Sequence, residues 1–330
     1  MLRLILKLLL FFFLFTNANA EKNSKNDACN WNEQFKNPCI TIIKELSNTS
    51  ELSSSGIVSN IITKKEIDNM GVTDLVSVLK KIPELRITQS GPMGQQASVF
   101  MQGSGSNHTL MMINGIPIND QSTTQGLHDF GVDFIQTVQQ IEIYSGSNAV
   151  HFGTNAIGGA INIIMASDFK DSLKFTSNSK NSHNLSMNRN IIFENSSLNI
   201  KAGTVRKKTS SAISGNNKDL DAVKNYSSNI NYEYWLNERI KLYNTTYIRQ
   251  TISQYDNSSS NQYGYEGDNR MYTIQSGIEN NLPDGNMSLV FYNNKYDRKY
   301  DEINITDKYK SDTTGIKFDF SKNISDRFSF

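Results

Sequence analysis

The stretch HFGTNAIGGAINII, residues 151–164, places Gly153, Gly158 and Gly159 directly before a short apolar segment. Glycine is used where the backbone turns through positive φ or approaches another backbone closely. A phosphate-binding loop would need Gly-Lys-Ser or Gly-Lys-Thr here, but the paired glycines are followed by Ala160 and Ile161. The stretch therefore predicts a tight turn that feeds a β-strand, and its neighbours decide what kind of domain it closes.

The first residues have the pattern of a secretory signal peptide. An apolar run at Leu8–Phe15 follows basic residues, and Ala18-Asn19-Ala20 supplies a small-x-small cleavage site. The run is too short for a membrane-spanning anchor, which needs about 20 apolar residues. We expect residues 1–20 to be removed and the mature chain to be exported.

The mature sequence is polar and nearly neutral, with a formal net charge of +1 for the whole chain. This balance argues against a nucleic-acid surface. Cys29 and Cys39 lie close together after the signal peptide, and because no CxxC pair is present, a structural disulfide is favoured over catalysis. Residues 21–55 read as an extended arm. The β-prone CITIIKE segment at Cys39–Glu45 is a candidate for pairing with the edge of a partner's sheet.

Residues 56–167 have the sequence pattern of one small α+β domain. A length of about 110 residues is enough to build one hydrophobic core. Thr63 and Glu66 predict a capping box at a helix start, and Gly71 predicts its end. Thr73 is predicted to cap a second helix. The predicted strands of this segment are Val58–Ile62, Leu85–Thr88, Ser98–Met101, Thr109–Ile113, Val138–Tyr144 and Gly159–Met165.

Residues 168–330 change to an apolar-polar alternation of period two, which is typical of half-buried strands. Tight turns are predicted near Glu194-Asn195, Asn237-Glu238, Pro283–Gly285 and Lys322-Asn323, and they alternate with long polar loops at Lys207–Val223, Ser253–Asn269 and Arg298–Ser311. This alternation is typical of an outer-membrane barrel. A secreted β-sandwich, the rival reading, has no reason to keep every second connection long. The apolar side chains predicted to share one face are Ile230, Tyr232, Tyr234, Leu236, Ile240, Leu242, Ile248, Ile316, Phe318 and Phe320.

The middle segment resembles the plug domain of TonB-dependent outer-membrane receptors, and within them the cobalamin-transporter branch. The matching stretches are DLVSVLKKIPELRITQSGPMGQQASVFMQG at 74–103, NHTLMMINGIPIN at 107–119 and VQQIEIYSGSNAVHFGTNAIGGAINII at 138–164. The resemblance implies an α+β plug domain followed by antiparallel transmembrane β-barrel strands, about 22 in the full-length family. The plug-motif residues it assigns are Gln102, Gly103, Asn114, Gly115, Gly153, Gly158, Gly159 and Asn162.

The resemblance also implies a function. Such receptors sit in the outer membrane and take up a scarce nutrient, driven by the proton-motive force through the TonB protein and its inner-membrane energising complex. TonB pairs with a short N-terminal segment, the TonB box, and the best match is Ile40, Thr41, Ile42 and Ile43. The alternative for this segment is a merely structured disulfide arm. The nutrient is predicted to be cobalamin or another corrinoid, with a ferric siderophore as the alternative. A non-transporting surface receptor or adhesin is the rival from another class.

By position, the outward loops of the plug are residues 90–96 and 120–130. Their polar composition suits hydrogen bonding to a ligand, although ordinary solvated loops would look the same. The candidate ligand-binding residues are Ser90, Gly91, Gln95, Gln96, Gln121, Ser122 and Gln125. The resemblance also implies that calcium can bind between acidic external loops. The available oxygen ligands are those of Asp219, Asp221, Asp256, Glu266 and Asp268, whose spacing matches no known calcium-loop pattern. No other cofactor is expected.

Three positions depart from the family pattern. Gln102-Gly103 stands where the family has Arg-Gly, Asn114-Gly115 replaces Asp-Gly, and Ser145-Gly146-Ser147 replaces Arg-Gly-Pro. In the family, the plug arginines engage barrel carboxylates. A single buried charge left without a partner costs several kcal/mol. Because basic and acidic residues are absent together at these positions, we expect a less charged plug that is locked to the barrel by different contacts.

An enzyme is not expected. The four histidines, His108, His128, His151 and His183, are isolated, without metal-ligand spacing, and no Gly-x-Ser-x-Gly elbow is present. The residues after the plug supply roughly nine strands, at about 10 residues per strand plus loops. That number is too small to enclose a plug, so the sequence is expected to be the N-terminal part of a longer receptor.

Overall fold

The computed structural model describes residues 60–146, 149, 152–165, 170–178, 182–209, 211, 220–257, 262–302, 304–325 and 328–329. The predicted signal peptide, the disulfide between Cys29 and Cys39 and the candidate TonB box at 40–43 lie outside the described residues. Among these residues, no helix is both long enough and apolar enough to cross a membrane.

The first part of the described chain is a small α+β domain, referred to below as the plug. A five-stranded sheet has the order β1-β6-β7-β4-β5, and β2 and β3 form a separate hairpin pair. Only β4 and β7 run parallel in the larger sheet, which follows from the long excursion between them. The elements are β1 Asn60–Thr63, α1 Lys64–Met70, α2 Leu75–Leu79, β2 Leu85–Gln89, β3 Ala97–Met101, β4 Thr109–Ile113, β5 Ile116–Pro117, β6 Gln140–Ser145 and β7 Gly159–Ile164.

The ends of the two helices follow from local hydrogen bonding. The capping box predicted for α1 is confirmed: the Thr63 hydroxyl accepts from the Glu66 N–H, and the Glu66 carboxylate accepts from the Thr63 N–H at 2.8 Å. Gly71 ends α1 with φ 64°. The predicted cap of α2 was wrong by one residue. Asp74 is the N-cap, because its carboxylate accepts from the Ser77 N–H at 2.9 Å.

The core of the plug lies between its sheet and the helices. Leu75, Val78 and Leu79 of α2 are fully buried against the sheet residues Ile141 and Ile161. All five residues of β4 are buried, as expected for a central strand covered on both faces. The burial of apolar area here is the main stabilising term for a domain of this size.

The second part of the described chain is a nine-stranded antiparallel sheet, referred to below as the wall. Each strand pairs with its sequence neighbours, in the order β8 to β16, so the sheet is a simple meander. The strand number agrees with that expected from the length. The strands are β8 Ser172–Asn178, β9 Ser182–Ile192, β10 Ser196–Lys208, β11 Ala222–Trp235, β12 Ile240–Asn257, β13 Gln262–Leu282, β14 Gly285–Asp301, β15 Thr306–Ser325 and β16 Phe328–Ser329.

The predicted connections of the wall are partly corrected by the structure. The long connection after β10 and the short turns before β10, β12 and β14 are confirmed. The predicted loops Ser253–Asn269 and Arg298–Ser311 are wrong: β12 and β13 stay paired to Asn257↔Gln262, and β14 and β15 to Asp301↔Thr306. The predicted turn at Lys322-Asn323 is also wrong, since both residues belong to β15. Polar residues extend these hairpins because pairing with the neighbouring strand provides hydrogen bonds for their backbone N–H and C=O groups, even where neither face of the strand is apolar.

The alternation along the wall separates an outward face from an inward face. Ile230, Tyr232, Tyr234 and Leu236 are exposed together on the outward face, as are Ile316, Phe318 and Phe320, which confirms the predicted period. The inward face is mainly polar and is covered by the plug. Arg249, Thr251 and Thr273 are buried there at 1% exposure or less. Apolar side chains outward and polar ones inward are the arrangement of an outer-membrane barrel wall.

Candidate functional site

The plug packs directly against the inward face of the wall. Tyr247, Met271 and Tyr296, from three neighbouring wall strands, belong to the same buried apolar cluster as the plug core. A second contact places Phe134 of the plug against Val205 and Val223. The interface between plug and wall is therefore dry at its centre, where any polar group needs a partner.

An ionic cluster, referred to below as the central lock, joins plug and wall in this dry region. The Arg249 Nη1 of β12 donates to Asp133 Oδ1 at 2.8 Å, and the other Asp133 oxygen lies 2.6 Å from His128 Nε2. The Arg249 Nη2 also donates to Asn269 Oδ1 at 3.0 Å. The side chain of Arg249 is fully buried, and that of Asp133 is 8% exposed.

The charge state of Asp133 follows from this geometry. Burial opposes ionisation, but the Arg249 guanidinium and the His128 hydrogen bond outweigh it, so the pKa of the Asp133 carboxyl lies below its ordinary value. Asp133 is thus a carboxylate paired with a guanidinium at neutral pH. Two polar atoms of the cluster, Arg249 Nε and His128 Nδ1, are buried without a hydrogen-bond partner among the described residues.

A second ionic contact lies near the Asp301↔Thr306 end of the β14–β15 hairpin. Asp120 of the plug lies 2.8 Å from Arg298 Nε of β14, and the Ser311 hydroxyl of β15 donates to the other Asp120 oxygen at 2.8 Å. Arg298 Nη2 donates to the Ser122 hydroxyl at 3.0 Å. Asp120 therefore ties its loop to two wall strands.

Backbone carbonyls of the plug provide further attachment points. Gln275 Nε2 donates to the Ile113 carbonyl at 3.0 Å, and Asn294 Nδ2 donates to that of Pro117 at 2.8 Å. At the exit of the plug, Asn229 and Asn231 both donate to the Met165 carbonyl, at 3.1 and 2.8 Å. The polar inward face of the wall thus donates hydrogen bonds to carbonyl groups of the plug backbone.

The first candidate ligand loop, residues 90–96, is divided between docking and exposure. Gln95 Nε2 donates to the Gln254 carbonyl of the wall at 2.5 Å, so this side chain is used for docking. Gly94, at φ 90°, approaches Val223 so closely that a Cβ would lie 2.6 Å from a valine methyl group. Ser90 and Gln96 are exposed, whereas Gly91 is half-buried. The exposed pair is what this loop offers to a ligand.

The second candidate loop, residues 120–130, has the same division. Ser122 is held by Arg298 and by Asp120. Gln121 and Gln125 are exposed, and Gln125 has a positive φ of 63°. This conformation is uncommon for a residue with a side chain and marks a loop held by its surroundings.

One half-buried carboxylate joins the two loops. Asp129 Oδ1 accepts from the N–H groups of Ala97 and Gly131, both at 2.9 Å. A Cβ on Gly131 would lie 1.8 Å from the Gln95 carbonyl oxygen, so only glycine permits this approach. Burial raises the pKa of the Asp129 carboxyl, and the two N–H donors offset this only in part. The structure thereby brings the two predicted ligand loops together.

The family-pattern positions near β3 and β4 are tight turns. Gln102 and Gly103 have φ of 50° and 72°, and the Ser104 N–H donates to the Met101 carbonyl at 2.9 Å. Two successive positive φ values are those of a type I′ turn. Gln102 is exposed, and its side chain makes no hydrogen bond to the wall within the described part of the chain.

Asn114 and Gly115 form the second such turn, with φ of 49° and 75°, between β4 and β5. The Asn114 Oδ1 accepts from the Met165 N–H at 2.9 Å, and the Asn162 Oδ1 accepts from the Gly115 N–H at 2.8 Å. An amide oxygen therefore does here what a carboxylate would do, without a buried charge. This geometry explains why Asn is compatible with the position.

The glycines of the opening motif permit close approach. A Cβ on Gly158 would lie 2.0 Å from the Ser104 hydroxyl, and one on Gly159 would lie 2.5 Å from the Tyr144 carbonyl oxygen. Gly153 turns through φ 96° with open space around it. The geometry at these positions is structural and places no ligand-binding group there.

Asn162 and Tyr144 also surround a buried carboxylate of the plug. Glu142 accepts from the Tyr144 hydroxyl at 2.8 Å and from Asn162 Nδ2 at 2.9 Å. Burial and the neighbouring Glu142 raise the pKa of the Tyr144 hydroxyl far above its ordinary value, so it stays a proton donor. This polar network fixes β6 against β7.

The candidate calcium ligands do not come together in the described part of the chain, where no group of three or more His, Cys, Asp or Glu side chains is arranged to hold a metal. Asp268 is engaged by Arg270 at 2.5 Å and by Gln250 at 3.0 Å. Asp256 accepts from the Ser211 hydroxyl at 2.5 Å. Asp219 lies outside the described residues.

The residues of the two ionic contacts were missed by the sequence reasoning. The lock is built differently from the family pattern, as expected, but it is not uncharged. The plug supplies the carboxylates of Asp120 and Asp133, and the wall supplies the arginines. The arginines of these contacts thus belong to the wall, whereas the resemblance implied arginines in the plug. A usable signal was present in β12, where Arg249 stands at an inward position between the apolar Tyr247 and the polar Thr251.

Comparison with known proteins identifies the first part of the chain. Residues 51–160 match the family model of the TonB-dependent receptor plug domain. The vitamin B12 transporter BtuB of Vibrio vulnificus is 34% identical over 124 residues, which are 37% of this chain and 20% of that protein. BtuB of Photobacterium profundum is 38% identical over 107 residues, which are 32% of this chain and 17% of that protein. The matched region thus spans about a fifth of these relatives.

Solved structures extend the likeness to the wall. A variant of the ferric enterobactin receptor PfeA of Pseudomonas aeruginosa superposes with a TM-score of 0.62 at 16% identity, covering 80% of this chain and 46% of that one. The siderophore receptor PirA of Acinetobacter baumannii gives 0.63 at 15% identity, covering 82% and 46%. At such identity the likeness concerns the fold. This chain therefore carries the plug domain of a TonB-dependent receptor, followed by strands of the barrel wall of that fold.

Proposed function

We propose that this chain forms the plug and the first part of the barrel of an outer-membrane receptor that takes up a scarce nutrient with energy supplied through TonB. The observation that carries the proposal is the plug seated on the polar face of the wall by buried, specific contacts, with its two polar loops joined at one end. A plug that fills a barrel has to be displaced for passage, and this requires an external energy source.

We propose an orientation of the molecule in the membrane from the same features. The joined loops 90–96 and 120–130 lie at the end of the wall where Arg298 and Ser311 hold Asp120. We assign this end to the cell exterior, where the exposed Ser90, Gln96, Gln121 and Gln125 would meet the ligand. The N-terminal arm, with the TonB-box candidate at 40–43, then belongs to the periplasmic side.

We propose cobalamin or another corrinoid as the nutrient. Support comes from the plug sequence, which resembles vitamin B12 transporters at 34–38% identity. The solved structures with the same fold include siderophore receptors, so a ferric siderophore is the alternative. Binding of labelled cobalamin to the receptor in native outer membranes tests the choice. Displacement by unlabelled corrinoids supports it, and displacement by a ferric siderophore alone would overturn it.

Energised transport has a separate test. Proline at position 42 removes a backbone N–H that a pairing strand needs. The variant Ile42→Pro should bind the ligand like the parent receptor but lose uptake. The control is Ser50→Pro, which lies in the same arm but outside the Cys39–Glu45 segment. Uptake that persists in Ile42→Pro would show that the box assignment is wrong, and uptake independent of TonB would favour the surface-receptor alternative.

The intact mass of the receptor from native outer membranes is the first measurement to make. A mass roughly twice that of residues 21–330 is expected for a plug enclosed by a complete barrel. A mass equal to that of residues 21–330 would contradict the enclosed-plug proposal.

A further inference from the structure

The outward face of the wall carries a cluster of basic side chains at its exterior end. Strand register places Asp268, Lys299 and Lys308 side by side across β13, β14 and β15, and places Arg270, Asp297 and Lys310 in the next row. These six residues line one surface cleft of about 170 Å³, referred to below as the basic cleft.

The parity of the strands fixes the face on which the basic cleft lies. Arg298 of β14 and Ser311 of β15 contact the plug, so they point inward. Since side chains alternate along a strand, Lys299 and Lys310 point to the opposite, outward face. The cleft is therefore separate from the plug interface and from the proposed ligand loops.

The outward face below the cleft is apolar. Phe291 of β14 and Ile316 and Phe318 of β15 are 54%, 64% and 60% exposed on this same face. Their rows are paired strand to strand, Phe291 with Ile316 and Leu289 with Phe318. Large apolar side chains exposed in register over neighbouring strands are the surface that a barrel presents to lipid tails.

The charged surface begins above this apolar band with the Lys295–Asp312 pair, 3.0 Å apart. Lys310 and Lys308 lie two and four residues further along β15, about 7 and 13 Å at the usual strand rise. Because wall strands are tilted, the height above the band is smaller than these lengths. The basic cleft thus lies at the depth of lipid headgroups, on the side that faces the lipid.

The charges of the cleft are only partly neutralised. Four basic side chains and two carboxylates line it. Arg270 is paired with Asp268, Lys310 lies 3.4 Å from Asp297, and Lys299 is paired with Asp301 outside the lining. Lys308 has no ion-pair partner within the described part of the chain and is exposed. Flexible lysines held around a cleft next to an apolar band suit a phosphate group whose lipid chains lie along the band.

We propose that the basic cleft binds the phosphorylated headgroup of an outer-leaflet lipid. Lys299, Lys308 and Lys310 supply the charge, and the band at Phe291, Ile316 and Phe318 receives the acyl chains. This inference rests on the membrane placement in the proposed function, but not on TonB or on the nutrient. Such a lipid would fix the height of β13–β15 in the membrane.

The test uses the complete receptor reconstituted in phosphatidylcholine nanodiscs. A diphosphorylated glycolipid is added in increasing amounts, and native mass spectrometry measures how many lipid molecules each receptor retains. The same titration with the dephosphorylated glycolipid serves as the comparison. The variant K299Q/K308Q/K310Q should bind the phosphorylated lipid at least tenfold more weakly, since each lysine near a charged lipid surface contributes roughly a fivefold gain. The control Lys322→Gln removes an outward lysine of the same strand at the opposite end of the band.

The outcomes separate the sources of a phosphate signal. Preference for the phosphorylated lipid that is lost in the triple variant and kept in Lys322→Gln supports the proposal. Equal binding by the triple variant, or equal binding of the dephosphorylated lipid, would overturn it, as would displacement by millimolar inorganic phosphate. A single charge reversal, Lys308→Glu, gives an independent variant if the triple one folds poorly, and it should also weaken binding. Nutrient uptake is measured in a separate assay. A receptor that fails to transport the nutrient would therefore not be mistaken for one that fails to bind the lipid.

Discussion

The central lock gives the sharpest prediction of the structure. Replacing Arg249 with Met removes the guanidinium but keeps most of the side-chain volume. Asp133 would then lose its 2.8 Å partner while remaining buried, with only His128 at 2.6 Å to stabilise its charge. We expect the plug to dock on the wall less stably in Arg249→Met.

The size of the effect follows from the burial of the pair. Removing one partner of a buried ion pair costs about 3–5 kcal/mol, because the other charge stays desolvated. Since His128 still contacts Asp133, we expect a value near the lower limit, about 3 kcal/mol, or roughly a 100-fold larger open fraction. In the double variant D133N/R249M no charge remains unpaired, and we expect recovery to within about 1 kcal/mol of the parent.

The assay is amide hydrogen exchange followed by mass spectrometry, read on the plug segment around Asp133. Arg249→Met should exchange faster there, and D133N/R249M should return toward the parent. The matched control is Lys174→Met, which removes the exposed 2.7 Å pair with Asp68 and should change exchange little.

The same lock has a defined pH dependence. The pKa of Asp133 is lowered in the folded state, so its stabilising contribution is complete above the ordinary value of about 3.9 and is lost as the pH falls below that value. In Arg249→Met the lowering by the guanidinium is absent, so the loss should move to higher pH.

Two results would refute this reasoning. Exchange in Arg249→Met as slow as in the parent would mean that the pair adds nothing to docking. A double variant as unstable as the single one would mean that the cost comes from lost packing and the lost Asn269 contact, rather than from an unpaired carboxylate.

Three further predictions concern the plug. Asp129→Asn keeps an oxygen for both N–H donors but removes a negative charge that desolvation disfavours, so it should raise the melting temperature at neutral pH. The gain should vanish below about pH 4, where the Asp129 carboxyl is protonated in both the folded and the unfolded state. A lower melting temperature at neutral pH would contradict this prediction. Gly159→Ala should prevent correct folding or lower the free energy of unfolding by several kcal/mol. The reason is that the new Cβ would lie 2.5 Å from the Tyr144 carbonyl oxygen, at a φ of 148°. An unfolding midpoint in denaturant close to that of the parent would show that the backbone can move to make room. Asn114→Ala should destabilise the plug by about 2 kcal/mol, because alanine is strained at this positive φ and the hydrogen bond to the Met165 N–H is lost. Asn114→Gly should recover about half of this loss, because glycine adopts a positive φ without strain. Equal denaturation midpoints for the two variants would show that backbone strain contributes nothing.

The parts of the fold that depend on short-range physics were predictable. The capping box of α1, its end at Gly71 and the alternation of the wall each depend on residues within a few positions of one another. The length of the hairpins was not predictable in this way. Polar residues near 253–269 look like a loop by composition, but in the structure their backbone groups are satisfied by pairing with the neighbouring strand.

The sequence by itself determined that this chain builds an α+β plug followed by strands of a barrel wall, because motif, period and turn chemistry are local properties. Only the tertiary structure decided how the plug is held. Asp133 and Arg249 are 116 residues apart, and Asp120 and Ser311 are 191 apart. Their meeting depends on the register of successive wall strands around the plug, and this register is set by packing over the whole interface.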